Sequence, residues 1–116
     1  MGFLDSVKDM ADSATKGANT IAKVASLKME NKKKVMALEK ERDSSESNIQ
    51  NTTEILGKMF VAESLDNVSM DAAKVSDLLD SIKENRMKIS AIDIQIEEAK
   101  RELEESLEKI EKETSN

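Results

Sequence analysis

Apolar residues recur in alternating steps of four and three along two long stretches of the chain. The first series has seventeen positions, of which eleven are apolar or alanine: Phe3, Val7, Met10, Ala14, Gly17, Ile21, Val24, Lys28, Asn31, Val35, Leu38, Arg42, Ser45, Ile49, Thr52, Leu56 and Met59. The second series has eleven positions, of which nine are apolar or alanine: Val75, Leu78, Ile82, Asn85, Ile89, Ile92, Ile96, Ala99, Leu103, Ser106 and Ile110. A heptad spacing kept in one phase over so many turns predicts two long helices that pack as a coiled coil.

The residues between the two series favour a turn. Ser64, Asp66 and Asn67 have side chains that compete with the backbone for hydrogen bonds, and Ser69 or Asp71 would suit the N-cap of a second helix. The pattern therefore predicts four segments: an N-terminal helical segment 1–26, a first hairpin arm 27–62, a turn 63–69 and a second hairpin arm 70–113.

Folding the chain back at this turn pairs the two series in antiparallel order. The pairs are Leu56 with Val75, Ile49 with Ile82, Leu38 with Ile92, Val35 with Ile96, and the polar Ser45 with Asn85. The same pairing brings the lysines of residues 28–34 beside the glutamates of residues 97–108, so the apolar pattern and the charges agree on one register.

The predicted fold is all-α: an elongated antiparallel coiled-coil helical hairpin with a longer N-terminal helix. Its seam consists of nine apolar residues: Val35, Leu38, Ile49, Leu56, Val75, Ile82, Ile89, Ile92 and Ile96. The stretch 43–53 is rich in Ser, Asn and Thr, which are poor helix formers, so a break there would give three helices instead of two. Because the apolar register continues through this stretch, we favour one continuous first helix.

The composition excludes several classes of chemistry. The chain of 116 residues has no Cys, His, Trp, Tyr or Pro, so it can form neither a disulfide nor a Cys/His zinc site, and it lacks the commonest general base. Pairs of glutamates on a solvated helix face have no pocket that would perturb their titration. We therefore expect no enzyme activity, no catalytic residue, no metal, no cofactor and no small-molecule substrate.

The charge is uneven along the chain. Residues 1–40 carry eight Lys against five acidic residues, whereas residues 41–116 carry ten Lys and Arg against nineteen. The acidic excess, with a net charge of −6, argues against nucleic acid as a partner. Since neither a membrane span nor a secretory signal is evident, we expect a cytoplasmic protein, with peripheral membrane attachment as the alternative.

The N-terminal segment carries an apolar face that a hairpin with arms of equal length would leave uncovered. This face, together with small residues that allow helices to approach closely, predicts self-association into a homo-oligomer and a structural or scaffold role. The residues assigned to it are Phe3, Leu4, Val7, Met10, Ala14, Ala18 and Ile21. Two alternatives use the same hairpin: binding or remodelling of a membrane surface by this amphipathic helix, and an adaptor for a specific protein partner.

Two stretches carry a resemblance to a known family. The start, Met1–Asp5, and the stretch Thr53–Glu63 resemble small bacterial proteins in which a helical hairpin precedes a C-terminal zinc ribbon, and Ile89–Lys100 is similar to the return arm of that hairpin. The resemblance implies a helical hairpin, but without Cys no zinc function carries over. A looser likeness of fold is to phage-shock-protein and ESCRT-type hairpins, which join an amphipathic helix to a long hairpin and polymerise on membranes.

Overall fold

Two long helices make up the described part of the chain. In a computed structural model, which describes the backbone of residues 14–115 and the side chains of residues 17–114, helix α1 spans Ala14–Asp66 and helix α2 spans Ala72–Ser115. No strand occurs between residues 14 and 115. The prediction of an all-α helical hairpin is confirmed. Helix α1 is continuous through residues 43–53, because the seam positions there remain covered despite their polar composition.

The turn lies slightly later than the pattern suggests, at residues 67–71 instead of 63–69. Helix α1 continues through Asp66 and ends where Asn67 adopts a left-handed conformation, with φ of 57°. Asparagine tolerates this conformation better than most other residues, which explains why the helix ends there. The Val68 amide then donates a hydrogen bond of 3.2 Å to the Ala62 carbonyl and closes the last turn of the helix.

Two carboxylates secure the start of helix α2. The Asp71 side chain accepts hydrogen bonds from the amides of Ala73 (3.0 Å) and Lys74 (3.2 Å), so Asp71 is the N-cap. Of the two N-cap candidates in the sequence, Ser69 does not take this role. The Glu63 carboxylate reaches across the turn and accepts a hydrogen bond of 2.9 Å from the Met70 amide. Side chains thus satisfy backbone donors that the helix itself leaves unpaired.

The chain divides into two compact units, which we describe separately. Among the described residues, unit 1 combines those up to Ala37 with those from Ile96 onward, and unit 2 is Leu38–Gln95. In unit 2 the covered positions of α1 and α2 recur in steps of three and four. Leu38 and Ile92 are buried, and the other apolar seam residues of this unit are half-buried: Ile49, Leu56, Val75, Ile82 and Ile89.

Unit 1 has the most completely buried residue described, Ala99, which has no exposed surface. Ile96 and Ile110 are also buried, and Val35 is half-buried. The Asn31 amide group donates a hydrogen bond of 2.7 Å to the Ala99 carbonyl, across the two helices. This contact has the antiparallel register expected from the sequence.

The phase of the first series is not constant, which corrects one expectation from the sequence. On helix α1 within unit 1 the covered positions are Gly17, Thr20, Val24, Leu27, Asn31 and Val35, whereas Ile21 and Lys28 are exposed. Two steps of four therefore follow each other, from Leu27 to Asn31 and from Asn31 to Val35. Such a stutter locally changes the winding of a coiled coil, and it rotates the N-terminal side of α1 relative to the predicted seam.

Candidate self-association site

The residues predicted to mediate assembly divide into two groups. Phe3, Leu4, Val7 and Met10 lie outside the described residues, as does the side chain of Ala14. The remaining two residues, Ala18 and Ile21, lie on helix α1 and are exposed.

Helix α2 covers part of this segment, which corrects the expectation that all of residues 1–26 extend past its end. Gly17 is buried and Val24 is half-buried. Lys23 lies at one groove together with Ile110 and Glu113 of α2. From residue 17 onward, the inner face of α1 is therefore covered by the chain itself.

The outer face of α1 in unit 1 remains uncovered. We call it the outer stripe, and it consists of the exposed residues Ala18, Ile21, Ala22, Ala25, Met29 and Met36. Ile21, Met29 and Met36 are between 55% and 60% exposed. Three- and four-residue spacing places most of these positions on one side of a helix. The stripe combines small residues with flexible methionines, which adapt to irregular partner surfaces.

Positive charge accompanies the outer stripe. Residues 17–37 contain five lysines against a single acidic residue, Glu30. Lys28, Lys32 and Lys33 are exposed and border the stripe on the helix, and Lys34 pairs with Glu102 of α2 at 3.7 Å. A partner of the stripe therefore meets an apolar surface with a basic border.

A groove between α1 and α2 adjoins the stripe, with a volume of about 650 Å³. Ile21, Val24 and Ala25 of α1 line it together with Leu107 of α2. Its charged lining comes from Lys28 on one helix and from three glutamates on the other: Glu104, Glu108 and Glu111. The groove extends the apolar surface of the stripe inward and can accept side chains of a partner helix.

Polar residues interrupt the apolar seam of unit 2. Arg42 donates a hydrogen bond of 2.7 Å from Nε to Asp93 of the opposite helix and also pairs with Glu46. The hydrogen bond to Asp93, together with the charges of Asp93 and Glu46, raises the pKa of Arg42 above its usual value. This pairing connects the two helices at a point where the seam lacks an apolar side chain.

Asn85 is the least satisfied polar residue of the seam. It is buried, and its amide group donates a hydrogen bond of 2.8 Å to the Ser81 carbonyl of its own helix. Its Oδ1 atom is buried and accepts no hydrogen bond from any described residue. Ser45, its predicted neighbour on α1, is buried as well. A buried asparagine in a coiled-coil seam costs stability and restricts the register.

A second exposed apolar surface lies around the turn, and the heptad pattern gave no sign of it. We call it the tip cluster: Phe60, Val61, Leu65, Val68 and Leu79. Their exposure ranges from 50% for Val61 to 76% for Leu65. The heptad series includes only the positions that face the partner helix. The cluster could be found in the sequence only by counting the apolar residues that lie outside this series.

No group of three or more acidic side chains between residues 17 and 114 is placed to hold a metal ion. Neither α1 nor α2 includes an apolar stretch that could cross a lipid bilayer.

Comparison of the chain with protein-family models, with curated proteins and with solved structures finds no match. The resemblances stated from the sequence therefore stay predictions.

Proposed function

We propose that this protein is a non-enzymatic, self-associating structural protein, and that the outer stripe of α1 is its contact surface. The observation that carries the proposal is the exposure of Ile21, Met29 and Met36 along one helix. Large contiguous patches of exposed apolar surface are rare on soluble monomeric proteins, and they mark interaction sites. A cytoplasmic homo-oligomer fits this proposal.

The chemistry of the stripe supports a helix as its partner. Ala18, Ala22 and Ala25 bring little bulk, so a second helix can approach the backbone of α1 closely, and Met29 and Met36 can fill the remaining gaps. Burial of one such large side chain contributes about 1.5–3 kcal/mol. A few of these side chains are enough to favour association at moderate protein concentration.

A membrane surface is the second candidate partner, because Lys28, Lys32 and Lys33 border the stripe. Basic residues beside an apolar helix face favour binding to anionic lipid. The acidic side chains of α2 near the same groove, Glu104 and Glu108, oppose this attraction. We therefore place self-association first, and an adaptor role for another protein third.

Sedimentation velocity of the full chain over a range of concentrations tests the proposal. We expect the mass to rise with concentration, and the double substitution Ile21→Gln and Met29→Gln to weaken association by about tenfold or more, the equivalent of about 1.4 kcal/mol. Gln keeps helix propensity, so circular dichroism should be unchanged.

The matched control is the double substitution Met87→Gln and Ile94→Gln. These residues are exposed to a similar degree, 65% and 60%, but lie on α2 in unit 2. The control should associate like the unaltered chain. A chain that stays monomeric at every concentration contradicts the proposal, and pelleting with anionic vesicles that the stripe substitutions abolish would favour the membrane alternative.

A further inference from the structure

We propose that the outer stripe of one copy binds the tip cluster of another copy, an inference that rests on the proposed self-association. The tip cluster holds five of the eight large apolar residues that are exposed outside the outer stripe in the described part of the chain. It consists of five side chains, each at least half exposed, within twenty residues of the chain: Phe60, Val61, Leu65, Val68 and Leu79.

The arrangement of the cluster suits a docking helix. Val61 and Leu65 are one turn apart, so they share a face of α1. Phe60 and Leu79 each directly follow a covered seam residue, Met59 and Leu78. In an antiparallel pair, equivalent heptad positions lie on the same flank, so Phe60 and Leu79 share one flank of unit 2, whereas Val61 and Leu65 lie on the outer face of α1.

The charge of the turn region is opposite to that of the stripe. Residues 54–80 contain six acidic residues against two lysines, a net charge of −4, and the acidic residues are Glu54, Glu63, Asp66, Asp71, Asp77 and Asp80. On helix α1 alone, residues 17–37 contain five lysines against one glutamate, a net charge of +4, and the glutamates of α2 line the groove at one edge of the stripe. Complementary charge of this kind steers and orients association.

Charge also disfavours the two symmetric alternatives. Contact between two stripes would bring the lysines of residues 28–33 of both copies together. Contact between two tip clusters would bring their acidic residues together. Like charges placed against each other cost free energy and suppress the wrong pairing. Pairing of stripe with tip cluster is the one combination that buries apolar surface on both sides and joins opposite charges.

The inferred contact has a consequence for the kind of assembly. It uses two different surfaces of the same chain, so each copy keeps one free stripe and one free tip cluster after binding a neighbour. Heterologous contacts of this type generate rings or open polymers, whereas a contact between identical surfaces closes a dimer. The mass of the assembly should therefore increase beyond that of two chains.

A complementation experiment on the full chain tests this inference. One variant carries Ile21→Gln and Met29→Gln and lacks the stripe, and the other carries Val61→Lys and Leu65→Lys and lacks the tip cluster. Each variant alone should be monomeric at concentrations where the unaltered chain forms large assemblies. Their mixture should form a species of two chains and no larger, since only one stripe and one tip cluster remain intact.

The outcomes separate this inference from the proposed function. A monomeric unaltered chain overturns both. If the unaltered chain associates and the tip variant associates equally well, or if mixing the variants restores nothing, the pairing of stripe with tip cluster is wrong while self-association stands. Met87→Lys with Ile94→Lys is the control for added charge and should assemble like the unaltered chain, and circular dichroism should show equal helix content in all variants.

Discussion

At the scale of single residues, Gly57 is the clearest place where the chain gives up stability. It lies inside helix α1, is exposed, and a Cβ atom added to it would meet no other atom within 4 Å. Glycine in a helix costs backbone entropy that alanine does not. We expect Gly57→Ala to raise the free energy of unfolding by about 0.5–1 kcal/mol, measured by urea denaturation. A decrease in stability would mean that the helix is not regular at this position.

Asn85 is a second residue at which the chain gives up stability. Because its buried Oδ1 atom accepts no hydrogen bond from the described residues, Asn85→Leu should raise the free energy of unfolding by about 1–3 kcal/mol. Gln95→Leu, an exposed position on the same helix, is the control and should change little. The measurement is chemical denaturation at one fixed protein concentration. An unchanged or lower stability of Asn85→Leu would indicate that the carboxamide has a partner in solution.

At the scale of the helices, most of the hairpin follows from the sequence. Heptad steps depend on many residues, so single polar interruptions such as Arg42, Ser45 or Thr52 do not hide them. The turn was placed within a few residues, because Asn67 and Asp71 have conformational and capping preferences that other residues lack. The sequence does not reveal the stutter. From Asn31 toward the N-terminus, a step to Lys28 and a step to Leu27 both lead on to Val24, and only packing against α2 decides which of the two residues is covered.

The stutter predicts an asymmetry between two adjacent residues. Leu27 is half-buried and lines a groove with Ser106 and Ile110, whereas Lys28 is exposed. We expect Leu27→Ala to lower the free energy of unfolding by about 1–2 kcal/mol, since its burial is only partial. Lys28→Ala should change it by less than about 0.5 kcal/mol. Thermal and urea denaturation of both variants measure the difference. Equal effects of the two substitutions would mean that there is no stutter and that the heptad phase of the first series is constant.

The candidate site was less predictable than the fold. The assignment of Ala18 and Ile21 to an exposed surface came from the uncovered length of the first helix, but Met29, Met36 and the tip cluster were absent from it. The reason is physical: a periodic apolar pattern reports which side of a helix faces its partner. It contains no information about apolar residues that the fold leaves outside, because their exposure depends on which surface the second helix covers.

At the scale of the whole molecule, stability and association should be linked. The buried apolar residues between positions 17 and 114 are few: Leu38, Ile92, Ile96, Ala99 and Ile110. A chain with so little interior gains stability from anything that binds only its folded state. We expect the Tm of the unaltered chain to rise with protein concentration.

The double variant Ile21→Gln and Met29→Gln supplies the comparison for this prediction. Its Tm should stay constant over the same range of concentrations, because it keeps the hairpin seam but lacks the stripe. Calorimetry at several concentrations measures both chains. If the Tm of the unaltered chain is also constant, folding and assembly are independent of each other.

Ala99 restricts which substitutions the packed helices of unit 1 can accept. Its methyl group has no exposed surface, and the Asn31 amide group donates a hydrogen bond to its carbonyl, so this small side chain lies within the contact between the two helices of unit 1. The distance between packed helices depends on the side chains at their contact. The side chain of residue 99 therefore limits how far apart the helices are at this point. A larger side chain would separate them locally and break the hydrogen bond from Asn31. Neighbouring residues would then have to change before the helices could pack as closely again.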